Sequence, residues 1–255
     1  MAEEVRRSPL LPASWELPET IVSRVGDTVG RQRAMVHEGH LLLLLHMVPS
    51  PDDSERKPAL FWRNPEGTWR GTAGRGGGTA LLSQHLKSFD QAIEALEKKT
   101  ESAQTAEDWF ELIKAAGPLH RTAKHLLATL QQAREALPDA RHLILARDQA
   151  NDLDRAAELV HEEAEQGLRF ALARQAEAQA QATEQMTRAS HRLNLVVALF
   201  LPLTAVAGIF GIEGLAVAPL VVWSTLGLSV VLGLGLSLRL AKPTETRRLP
   251  PPGSP

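Results

Sequence analysis

The chain has 255 residues, of which 44% are hydrophobic and 23% charged, with a net charge of −2 and a mean hydropathy of −0.14. No cysteine and no tyrosine occur, which excludes disulfides, thiolate metal sites, cysteine nucleophiles and phenolic acid–base chemistry. Five Trp, six Phe and a near-neutral charge balance argue against nucleic acid, whose binding needs clustered cations beside stacking surfaces.

The first residues, MAEEVRRSPLLPASW, lack the apolar core of a secretory signal, so the N-terminus is expected in the cytoplasm. Strand-like runs at 33–36 and 40–48 flank the turn residues Glu38-Gly39. Runs at 59–63 and 68–72 flank Asn64-Pro65-Glu66-Gly67. A small, mostly antiparallel sheet is expected. Leu41 to Leu45 is apolar on both faces, as in a covered central strand, although five leucines also suit a helix. His37 and His40 flank the first turn without further ligands around them. The run Gly74-Arg75-Gly76-Gly77-Gly78 lacks the Gly-Lys-Ser/Thr ending of a phosphate-binding loop and reads as a flexible connector.

Helices follow. Thr79 is placed to cap a helix over about 80–101 with Leu81, Leu82, His85, Phe89, Ile93 and Leu96 inward. Thr105 and Asp108 have the spacing of a capping box for a second helix, expected to stop at Gly117-Pro118 before a third over 119–136. From Asp139 no strong breaker except Gly167 occurs before Pro202. One helix of some 70 residues, about 105 Å long, is therefore expected to run on into the membrane. Ala146, Ala150, Leu153, Ala157, Val160, Ala164, Ala171, Ala178 and Ala182 form a seam at near-heptad spacing, the mark of a narrow stalk. Its first half is acidic, with Asp148, Asp152, Asp154, Glu158, Glu162, Glu163 and Glu165. Carboxylates of this kind suit hard divalent cations where subunits bring them together, and equally make a solvated face.

Residues 193–238 hold a single charge, Glu213. Residues 193–212 and 216–238 are each long enough to cross the ~30 Å hydrocarbon layer, and 213–215 leaves room only for a tight turn, so a membrane hairpin is expected. Arg188 and Arg192 precede it and Arg239, Lys242, Arg247 and Arg248 follow it. This places both termini in the cytoplasm. Thr187, Ser190, Asn194, Val197, Leu201, Thr204, Gly208 and Gly211 share one helix face of small or polar residues, which serves either close packing or a water-filled path lined by several subunits. The tail ends in Pro250-Pro251-Pro252-Gly253-Ser254, a composition expected to be disordered.

The string Phe200-Leu201-Pro202-Leu203-Thr204-Ala205-Val206-Ala207-Gly208-Ile209-Phe210-Gly211-Ile212 resembles the first membrane helix of CorA-type magnesium and divalent-cation transporters. The order of parts resembles that family too: an N-terminal α/β domain (1–136), a stalk helix (137–192), a first span (193–212), a connector (213–215), a second span (216–238) and a basic tail (239–255). The fold class expected is thus an α+β cytoplasmic domain with a very long stalk helix continuing into a two-helix transmembrane hairpin. The resemblance implies a homopentamer in an inner or plasma membrane and contact with lipid. It also implies Mg²⁺ or another divalent cation as transported and regulatory ion.

Matching the string puts Leu201, Thr204, Gly208 and Gly211 at pore positions, all on the stripe already described, and Leu193 rather than Asn194 toward the axis. Leu193 or Val197 then suits a hydrophobic gate. The family carries Gly-Met-Asn after the first span, whereas this chain has Gly211-Ile212-Glu213. Five Glu213 side chains would form a charged ring that collects cations and couples their titrations. The resemblance implies intracellular divalent cations acting on the cytoplasmic domain, and the stalk carboxylates Asp148, Asp152, Glu158 and Glu162 are the candidate sensor by their chemistry. The competing expectation is a non-conducting, membrane-anchored scaffold or effector. An enzyme is not expected, because no nucleophile, base and orienting group occur together.

Overall fold

The computed structural model describes residues 7–51, 55–74 and 77–210, with residues 224, 227, 231 and 235 as isolated helical positions. Two compact units divide the chain, residues 1–174 and 175–255. The first holds a four-stranded antiparallel sheet in the order β1 (Arg33–His37), β2 (His40–His46), β3 (Pro58–Arg63) and β4 (Trp69–Gly71). A single helical turn, α1 (Glu19–Val22), precedes it, and α2 (Ala80–Thr100), α3 (Ala106–Ala136) and α4 (Arg141–Phe210) follow.

Local chemistry sets the two hairpins. Glu38 and Gly39 have φ of 50° and 77°, the double positive φ of a two-residue turn whose twist matches the strands, and this pairs His37 with His40 and Met35 with Leu42. A side chain at Gly39 would meet the Pro65 ring at 3.2 Å, so glycine serves both the turn and the approach of the neighbouring loop. In that loop the Asn64 side chain accepts the Thr68 N–H at 2.7 Å. Phe61 is thereby paired with Gly71 and Arg63 with Trp69.

The leucine run is a strand covered on both faces. Leu41, Leu43 and Leu45 belong to the main core with Phe61, Phe89 and Leu126. Leu42 and Leu44 belong to a second core with Trp15, Ile21, Val22, Val25 and Trp62. The segment before the sheet therefore covers one face and the helices the other, which removes the helical alternative. The α1 turn was not expected, since only Pro18 ahead of Glu19 marks it.

The helix starts differ from expectation at one end and match at the other. Thr79 lies at the start of α2 but in helical conformation, with no side-chain cap; its carbonyl instead accepts the Ser83 N–H and hydroxyl. Thr105 does close a capping box: its hydroxyl accepts the Asp108 N–H at 3.2 Å and the Asp108 carboxylate accepts the Thr105 N–H at 2.9 Å. Hydrogen bonds made to that carboxylate, by the Thr105 N–H, then the Thr105 hydroxyl and then the Gln104 N–H, hold the Asp108 pKa below its ordinary value. Thr105→Ala is expected to cost about 1 kcal/mol, read as a lower urea midpoint at unchanged slope.

Residues 106–136 form one helix, not two, with Pro118 inside it. Proline removes one backbone bond and crowds the preceding turn, but the buried residues Leu112, Ala116, Leu119, Ala123, Leu126, Leu130 and Ala133 continue at helical spacing across it. Burial of that stripe outweighs one lost bond. α4 packs antiparallel on α3, as shown by His161 against Gly117 and His120, and by Asp154 beside His120. Leu143, Ala146, Ala150, Leu153, Ala157, Val160 and Ala164 are buried there. The first part of the alanine seam is therefore satisfied within the chain, while Ala178 and Ala182 are exposed.

Candidate ion path and carboxylate face

The unit formed by residues 175–255 contains the end of α4. Leu193, Val197, Leu201, Thr204 and Gly208 recur at three- and four-residue steps along it, which places them on one face. All are exposed, and a side chain at Gly208 would meet nothing within 4 Å. The Thr204 hydroxyl donates to the Phe200 carbonyl at 2.8 Å, so its own oxygen remains available to accept from a water. Val196 and Phe200 are exposed as well. Asn194 is also exposed, so burial does not separate it from Leu193.

Gly211, Ile212, Glu213 and the connector lie outside the described residues, as does the second span apart from four isolated positions. Among the described residues no helix is long and apolar enough to cross a membrane.

The four sensor candidates sit on the first half of α4. Asp148 pairs with Arg147 at 3.1 Å and Glu158 with Arg155 at 2.7 Å, exposed contacts of small energetic weight. Asp152 and Glu162 are exposed. Within one chain they do not converge, and among the described residues no three His, Asp or Glu side chains are grouped to hold a metal ion.

Two of the stalk carboxylates, Asp154 and Glu165, pair with histidines that the sequence did not single out, in a titratable cluster between α3 and α4. His120 Nε2 is 3.9 Å from an Asp154 carboxylate oxygen, the His120 and His161 rings are 5.9 Å apart, and His161 Nε2 is 3.5 Å from Glu165. Burial pushes the Asp154 pKa up, while His120 and Lys124 oppose that shift. The partners come from different helices, which is why spacing could not reveal them. His37 contacts Glu38, and His40 accepts the Trp62 indole N–H at 3.1 Å. That commits His40 to the sheet.

A small antiparallel sheet is thus followed by long helices, the last of which carries an exposed small-and-apolar stripe. Residues 80–242 match the family model described as CorA-like Mg²⁺ transporter protein, and the chain belongs to that family. The family is membrane-localised and comprises transporters, not enzymes. Among solved structures, full-length CmaX is 16% identical with a TM-score of 0.57 over 89% of this chain and 83% of that one. The CorA magnesium transporter from Methanocaldococcus jannaschii is 14% identical with a TM-score of 0.40, over 86% and 80%. No curated protein matches the chain. The likeness to CmaX shows the fold alone.

Proposed function

We propose that the chain forms a homo-oligomeric, CorA-like channel for divalent cations, with Mg²⁺ as its ion and a pentamer as its working state. The observation that carries this reading is the exposed stripe Leu193, Val197, Leu201, Thr204 and Gly208 on α4, inside the segment matched by the family model. Five copies of that stripe facing one axis would line a path. Residues 193–212 and 216–238 would be the two spans, with Glu213 at the outer mouth and both termini in the cytoplasm.

The chemistry suits a hydrated ion. Mg²⁺ gives up its water reluctantly, so the Thr204 hydroxyl and the bare backbone at Gly208 and Gly211 would bind its hydration shell. The Glu213 ring would raise the local cation concentration. Leu193 or Val197 would close the path by dewetting, with Leu201 lining it. Inside the cell, Asp148, Asp152, Glu158 and Glu162 would bind divalent cations between neighbouring subunits, and their mutual repulsion when empty would loosen the bundle.

Flux into liposomes tests this reading. The purified protein is expected to pass Mg²⁺, Co²⁺, Ni²⁺ or Zn²⁺, and a well-folded oligomer that passes none would falsify the channel. Glu213→Ala is expected to lower flux several-fold or to change the ion preference; unchanged conduction removes Glu213 from the mechanism.

A second reading has a specific observation behind it. Gly211-Ile212-Glu213 replaces the Gly-Met-Asn of the resembled family, and the connector is only three residues long. On this reading the hairpin tethers and oligomerises a non-conducting scaffold. Oligomerisation without flux is its expected result.

A further inference from the structure

We draw no further inference here: the strongest candidate, the side-chain cluster of His120, Asp154, His161 and Glu165 between α3 and α4, adjoins Asp152 and Glu162 of the carboxylate face already described, and among the described residues no three such side chains are grouped to hold a metal ion.

Discussion

Lowering the pH from 6.5 to 4 is expected to remove on the order of 3 kcal/mol of stability from the N-terminal unit, with His85 as the main cause. His85 is 4% exposed, between Phe61 and Phe89 at ring distances of 5.3 Å each. Burial lowers its pKa from 6.5 to about 4, against a smaller opposing effect of the His46 carbonyl. The folded pKa is the depressed one, so as pH falls below 6.5 the unfolded chain binds the proton first and stability declines. Below about 4 the folded state is protonated too, and the His85 contribution stops changing. His46 and His142, both lowered mainly by burial, add in the same direction. Asp154 opposes them, since burial raises its pKa and the folded state takes up that proton first. Urea unfolding of the full chain, followed by tryptophan fluorescence at pH 7, 6, 5 and 4, measures the slope. His85→Leu is expected to flatten most of it; an unchanged slope in that variant assigns the effect elsewhere.

Gly167→Ala is expected to destabilise the same unit by about 1–3 kcal/mol, although alanine is the better helix former by about 1 kcal/mol. A methyl group there would lie 2.4 Å from Trp109 Cδ2 and 2.5 Å from Cε3, inside contact distance of a half-buried ring that seats α3 on α4. The sign is expected to reverse once the ring is gone: in a Trp109→Ala background, Gly167→Ala should be neutral or stabilising by up to ~1 kcal/mol. A loss of stability in both backgrounds would show that ring overlap is not the cause.

These two residues show what spacing conveys and what it does not. Gly167 reads along the chain as a weak point in a helix, and only the facing Trp109, 58 positions earlier, turns it into a packing requirement. His85 is correctly placed on the inner face of α2 by periodicity, yet its neutrality depends on Phe61 from β3. Pro118 reads as a stop, and the buried stripe that runs across it is a property of what α3 covers. By contrast, Glu38-Gly39, Asn64 to Thr68 and Thr105 to Asp108 were legible because each turn or cap is closed by atoms within a few residues of one another. The stripe from Leu193 to Gly208 was legible for a similar reason, since it needs only the helical period.

The sequence alone determined the order of a small sheet, helices and one very long helix. It also determined the family, through a string of thirteen residues, and the separation of a charged part from an almost uncharged one. Each rests on hydropathy, turn chemistry or local identity, which act over a few residues. Tertiary structure decided which faces of the leucine strand are covered, whether α3 continues through its proline, and which histidines lose their charge. Burial and electrostatics depend on distance in space, and the residues that supply them are far apart in the chain.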